Sequence, residues 1–208
     1  AFPGKGIALL EWGVLPKLSG KAMPTPQRQT FANLLVSACE YHEMIRNSDV
    51  VKMAAMHNFS FYVAPHKLHS EPVNMRTVLI RELSELSGGH SIPMSIFGVP
   101  TYRQDQKMYD VVVDEEVPEL DVVAVVKDGS LYLSYVNRNP EQEYVLTLNI
   151  ETIEVGGFSG RVYQCSQPYE RSLWENRIAY SVNPVEVRED GAIIIPPLSY
   201  SILEVLYH

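Results

Sequence analysis

The chain has 208 residues, 46% apolar and 20% charged, which is ordinary globular composition and excludes an intrinsically disordered chain. Seventeen basic against 25 acidic residues leave a net charge of −8, and a nucleic-acid binder needs a cationic face to displace counterions from phosphates, so no nucleic-acid partner is expected. No apolar run approaches the ~20 residues of a membrane-spanning helix, so no membrane partner is expected either.

The N-terminus, Ala1-Phe2-Pro3-Gly4, has neither an initiator Met nor a basic-then-apolar leader, which raises the expectation that a preceding portion was removed. The localisation stays open between extracellular and cytoplasmic. Gly6-Ile7-Ala8-Leu9-Leu10-Glu11-Trp12-Gly13 comes first, a continuous apolar run of the kind a strand shows when it is buried on both faces of a parallel sheet. Pro16, Gly20, Pro24 and Pro26 mark a loop. From Gln27 to Arg46 the residues Phe31, Leu34, Leu35, Ala38, Cys39, His42 and Ile45 recur at spacings of three and four, predicting an amphipathic helix. Val50–Phe59 reads as a second buried strand. Val73–Leu86 reads as a second helix, stopped by Gly88-Gly89. The first 90 residues therefore have an α/β rhythm. Two strands and two helices cannot close a sheet, so both strand edges and half of the apolar faces should stay open.

After Gly89 the pattern changes to short β-rich runs: Ile92–Val99, Tyr109–Val113, Val122–Val126, Leu131–Val136, Tyr144–Ile150, Arg161–Cys165, Val185–Val187, Ala192–Ile195 and Ser199–Leu206. Lys127-Asp128-Gly129-Ser130 is a hairpin signal, because Asp-Gly tolerates the positive φ of a tight turn. Alternation of Leu131, Leu133 and Tyr135 with Tyr132, Ser134 and Val136 predicts one buried and one partly exposed face. Residues 91–208 read as a β-sandwich domain and residues 1–90 as α/β, with the boundary between Gly88 and Pro100.

Glu11 is the outstanding chemical candidate. It ends a buried strand beside Trp12, at a strand-to-loop corner; in parallel α/β barrels functional groups sit at the carboxyl ends of strands. A carboxylate there serves as nucleophile or acid/base, or else caps the strand end. Other candidates read as structural. Cys39 and Cys165 match no metal or redox spacing and are expected as unpaired, mostly buried thiols. Within Glu40-Tyr41-His42-Glu43 the helical spacing puts His42 on the apolar stripe and Glu43 in solvent. Asp114-Glu115-Glu116 with Glu119 reads as an exposed loop. Asn58-Phe59-Ser60 fits the glycosylation sequon but lies in a predicted strand.

Leu10-Glu11-Trp12-Gly13-Val14 resembles the nucleophile strand of the clan A glycoside hydrolases, especially the α-L-arabinofuranosidases of family 51, which carry Glu-Trp-Asn or Glu-Trp-Gly at the end of the seventh barrel strand. Asn47-Ser48-Asp49-Val50-Val51-Lys52-Met53-Ala54 resembles the entry to that family's eighth strand. Gly88-Gly89-His90-Ser91-Ile92-Pro93-Met94 resembles its passage into the sandwich, and Pro196-Pro197-Leu198-Ser199-Tyr200-Ser201-Ile202-Leu203-Glu204-Val205 its closing strand. The resemblance implies the C-terminal part of a (β/α)8 barrel, strands 7 and 8 with their helices, followed by a β-sandwich. It further implies a retaining exo-glycosidase that releases terminal α-L-arabinofuranose from arabinan or arabinoxylan.

On this pattern Glu11 is the nucleophile, and the acid/base belongs to an N-terminal portion not contained in this chain. The implied partners are an N-terminal chain and a plant polysaccharide or oligosaccharide, and the chain alone is expected to be inactive. Family 51 enzymes often form homo-oligomers. No metal and no cofactor is implied. Asn58 falls where the family places a sugar-binding Gln, and the shorter amide leaves that contact open. His57 is its neighbour, as sugar contact or core histidine, and Trp12 is expected as wall of the site. Leu15 replaces an aromatic platform. His66, His69 and Glu71 fall in a loop at the expected barrel mouth. Two alternatives remain: a related clan A hydrolase acting on xylosides, glucuronides or glucans, and a non-catalytic carbohydrate-binding or structural subunit.

Overall fold

The computed structural model describes residues 6–12, 17–18, 21–22, 30–56, 75–104, 107–108, 111–112, 115–151, 155–169 and 180–207. Strand β1 (Ile7–Trp12) is followed by the two-residue strands β2 (Lys17–Leu18) and β3 (Lys21–Ala22), which pair antiparallel and which the sequence pattern did not announce. Helix α1 (Phe31–Arg46) starts later than the expected Gln27, because Thr30 is extended and its hydroxyl accepts from the Asn33 N–H at 3.1 Å, capping the first turn. At the other end the Asn47 side chain donates to the Glu43 carbonyl at 2.8 Å. Strand β4 (Val51–Met56) pairs with β1 in parallel, so β1, α1 and β4 form a βαβ unit. Helix α2 (Met75–Ser84) lies inside the expected Val73–Leu86 and is followed by turns that end at Gly88, whose φ of +80° few residues other than glycine adopt.

The β-rich part comprises β5 (His90–Ile92), β6 (Thr101–Gln104), β7 (Lys107–Met108), β8 (Val111–Val112), β9 (Glu115–Pro118), β10 (Leu120–Lys127), β11 (Ser130–Asn137), β12 (Tyr144–Leu146), β13 (Val155–Cys165), β14 (Tyr180–Pro184), β15 (Ile193–Ile195) and β16 (Ser199–Tyr207). Six of these form one sheet in the order β14-β13-β16-β11-β10-β5. The pair β12–β15 supplies a second, smaller layer. Asp128 and Gly129 both take positive φ, 52° and 85°, closing the β10–β11 hairpin with Lys127 opposite Ser130 as expected.

The central strands of the large sheet are covered on both faces, and this corrects the expected one-sided burial of β11. On one face Leu131, Leu133 and Tyr135 join Leu120, Val122, Ile193 and Ile195 in the core shared with β15. On the other, Val125, Val136, Tyr163, Tyr200 and Ile202 pack with Phe31, Leu34, Leu35 and Ala38 of α1 and with Leu79, Leu83 and Leu86 of α2 and the turns after it. Cys39 and Cys165 form no disulfide, as expected, and both lie half-buried against this helix-facing core.

Other boundaries moved. The expected strand Ile92–Val99 stops at Ile92, before Pro93, with Gly98 in the left-handed region further on. Glu115 and Glu116 are exposed but sit in β9, paired with β6, rather than in a loop. The expected Val185–Val187 strand is reduced to a single bridge from Val187 to Ile193, the longer strand being Tyr180–Pro184 just before it. Tyr144–Ile150 shortens to three residues, and β13 begins already at Val155, a start that Gly156, Gly157 and Gly160 hid from the strand pattern. The expected double-sided burial of the first strand does not hold within this chain: Ile7 is 51% exposed on β1 and Met53 56% exposed on β4. A two-stranded ribbon leaves apolar surface open, as the two-strand, two-helix organisation implies.

Candidate active site

The parallel pairing of β1 with β4 brings their carboxyl ends together. Trp12 pairs with Met56, so the chain leaves both strands at one end of the ribbon, and Glu11 lies one residue before that end. Between the Leu9–Ala54 and Trp12–Met56 partners β1 spends one residue more than β4, which places a bulge at Leu10-Glu11. Bulges of this kind re-aim a side chain and are over-represented next to active sites. The sequence pattern had no signal for it, since a bulge depends on the partner strand's register. The β2–β3 ribbon follows in the loop that leaves β1.

His57 and Asn58 come directly after β4 and lie outside the described residues, as do Leu15, His66, His69 and Glu71. For Glu11 and Trp12 the backbone position on β1 is what the structure provides. A cavity of about 280 Å³ runs beside the first half of β4, lined among others by Tyr41, Ile45, Lys52, Met53 and Gly89; it borders Val51–Ala54 rather than the Met56 end. Among the described residues no three His, Cys, Asp or Glu side chains converge as metal ligands, and no helix is long and apolar enough to cross a membrane.

A second constellation invites comparison with a catalytic site. His42 Nδ1 stands 3.2 Å from Asp121 Oδ2, and its Nε2 stands 2.7 Å from Ser134 Oγ. The hydrogen-bond order Ser–His–Asp is that of acyl-transfer triads. Here all three are sealed: His42 and Ser134 are 0% exposed and Asp121 5%. No substrate reaches a hydroxyl in that position, so the cluster is structural. Asp121 also accepts from Arg46 Nη2 and forms an ion pair with Arg138 Nη2 at 3.1 Å. Burial pushes the Asp121 carboxyl up, but the His42 hydrogen bond and the surrounding positive charge outweigh it and hold the carboxyl far below its usual range. Burial pushes the His42 imidazole below its ordinary value despite Asp121.

Glu82 is the counterpart on α2. Its Oε2 accepts from Arg161 Nε at 3.0 Å and Nη2 at 2.6 Å, and its Oε1 from Arg81 Nε at 3.1 Å and Nη2 at 3.0 Å. Sequence reasoning placed His42 on the buried stripe and missed Asp121 and Glu82. The available signal was a lone carboxylate within an apolar pattern, Leu120-Asp121-Val122 in one case and Leu79, Glu82, Leu83 and Leu86 in the other.

No protein-family model and no curated protein sequence matches the chain. Solved structures do. The family 51 α-L-arabinofuranosidase from Thermotoga petrophila RKU-1 superposes with a TM-score of 0.72 at 19% identity, over 97% of this chain and 43% of that one. The family 51 arabinofuranosidase from Xanthomonas axonopodis pv. citri gives 0.68 at 15% identity, over 97% and 41%. A family 30 endoxylanase from Clostridium papyrosolvens C71 gives 0.57 at 10% identity, over 97% and 42%. The chain thus has the fold of the C-terminal part of family 51 arabinofuranosidases, the family that the sequence resembles, and spans about two fifths of their length. At these identities the likeness is one of fold.

Proposed function

We propose that this chain is the C-terminal portion of a retaining exo-glycosidase that releases terminal α-L-arabinofuranosyl residues, with Glu11 as the nucleophile. The observation that carries the reading is the place of Glu11: in a bulge at the carboxyl end of a parallel strand, next to the carboxyl end of the neighbouring parallel strand. In this account β1 and β4 are the last two strands of a (β/α)8 barrel, whose other strands cover the faces on which Ile7 and Met53 stand exposed. An N-terminal chain or segment supplies those strands together with the acid/base, whose carboxyl lies roughly 5 Å from that of Glu11, the separation retaining hydrolysis needs.

Glu11 attacks the anomeric carbon while the acid/base protonates the departing oxygen. Water then attacks the glycosyl-enzyme, activated by the same acid/base. His57 and Asn58, the residues that follow β4, and Trp12 at the end of β1 contact the bound sugar in this reading. No cofactor takes part. The likeness to the family 30 endoxylanase supports the second reading, a related clan A hydrolase acting on xylosides or glucans.

The test compares wild type with Glu11→Gln, in the enzyme purified with its remaining barrel, on a panel of aryl glycosides. The arabinofuranosidase reading expects turnover of the α-L-arabinofuranoside and its near-complete loss in Glu11→Gln. Turnover confined to xylosides or glucosides selects the second reading. Carbohydrate binding without turnover, unchanged by Glu11→Gln, would identify a non-catalytic subunit.

A further inference from the structure

Helix α1 is the crossover between β1 and β4, and a charged cluster around His42 and Arg46 fastens it to the large sheet. The groups that face His42 are, on α1 itself, Cys39, Glu43 and Arg46; on β10, Asp121; on and just after β11, Ser134 and Arg138; and on β16, Tyr200 beside Ser134. Glu43 is 65% exposed and paired with Arg46, and the buried Asp121 carboxylate faces two guanidinium groups, Arg46 and Arg138, that are 39% and 21% exposed. The two guanidinium groups already outweigh the Asp121 carboxylate, so no negative charge is left for an imidazolium to offset, and the neutral imidazole fits. Nδ1–H then donates to Asp121, and Nε2 accepts from the Ser134 hydroxyl, which satisfies both ring nitrogens without water.

A proton added at Nε2 turns that acceptor into a donor, so the Ser134 hydroxyl must turn from donating to accepting. It also places a third positive charge beside Arg46 and Arg138, on a ring that is itself fully buried.

We propose that His42, Asp121 and Ser134 form a pH-released clasp between helix α1 and the sheet, closed while His42 is neutral and opened when it is protonated. The sign follows from linkage. Burial depresses the His42 pKa, with Arg46 and Arg138 acting in the same direction against Asp121. The clasp therefore contributes fully above the ordinary histidine value of about 6.5 and is lost progressively as pH falls below it. Because α1 joins β1 to β4, opening loosens the unit that carries Glu11; that consequence rests on the function proposed above, whereas the clasp does not and is read without turnover.

The experiment is hydrogen exchange of the α1 amides, residues 31–46, at pH 7.0 and 5.5, corrected for intrinsic exchange and referenced to β13. If His42 stays neutral in the closed state over this range, the opening equilibrium of α1 rises by up to about eight-fold between the two pH values, with β13 unchanged. His42→Asn, whose amide still donates to Asp121, should abolish the rise. A wild-type α1 with no pH dependence, or a rise that persists in His42→Asn, overturns the proposal. Should His42→Asn fail to fold, the ring titration of His42 in the wild type decides by NMR: a midpoint below 6.5 supports the clasp, and one at or above 6.5 refutes it.

Discussion

Replacing Glu82 by glutamine removes a buried negative charge that ties α2 to the sheet while keeping the side chain's size. The Glu82 side chain is 1% exposed, and four N–H donors from Arg161 and Arg81 reach its two oxygens at 2.6–3.1 Å. The two arginines are 44% and 66% exposed, so their charges stay solvated when the carboxylate is lost. The cost is therefore smaller than the ~3–5 kcal/mol of breaking a fully buried pair and is set by the charge-assisted bonds from Arg161, about 2 kcal/mol. Burial pushes the Glu82 carboxyl up, but the Tyr163 hydroxyl, then Arg161 and Arg81, outweigh it and bring the carboxyl below the usual 4.5. A depressed carboxyl stabilises above the unfolded value and loses that contribution as pH falls through the folded one. Urea unfolding at pH 7 should show Glu82→Gln about 2 kcal/mol less stable than wild type, and the difference should shrink toward pH 3. Glu85→Gln, which removes a 45% exposed partner of Arg161, should cost under ~0.5 kcal/mol. A Glu82→Gln protein as stable as wild type at pH 7, or a difference that grows on acidification, would refute the reasoning.

Two glycines separate crowding from backbone strain. A Cβ on Gly160 would stand 2.4 Å from the Ile202 carbonyl oxygen and 2.6 Å from Leu203 Cα, so Gly160→Ala must push β13 away from β16 and should cost about 3 kcal/mol. Gly191 has open space around it and only its φ of +81° to protect, so Gly191→Ala should cost about 1 kcal/mol; equal losses in urea unfolding would contradict this. Burial raises the Cys39 thiol to about 12, although Arg138 opposes the shift. At pH 8 roughly one thiol in ten thousand is then ionised, so native Cys39 should react with a disulfide reagent at least 100-fold more slowly than in urea. Rapid native modification would count against that environment.

The elements with a strong period were legible from sequence. The stripe of Phe31, Leu34, Leu35 and Ala38 marked α1, and Asp128-Gly129 marked its hairpin, because both signals are local. What depends on a partner was not. Ser134 and Val136 alternate with Leu133 and Tyr135 like the outer face of a sandwich, yet they are buried because α1 lies over them, and no local pattern carries that information. Asp121 inside an apolar strand hinted at a buried ion pair, but its partners His42, Arg46 and Arg138 come from distant positions. The bulge at Leu10-Glu11 exists only relative to β4. Glu11 itself was legible as a carboxylate ending an apolar run; its neighbourhood in space was not.

The central claim is tested most directly by steady-state turnover of an aryl α-L-arabinofuranoside by the purified enzyme containing this chain and the rest of its barrel, as wild type and as Glu11→Gln. A nucleophile contributes the covalent step itself, so the account predicts a fall in kcat of about three orders of magnitude or more with the fold intact by circular dichroism. Turnover in Glu11→Gln within a few-fold of wild type would contradict it.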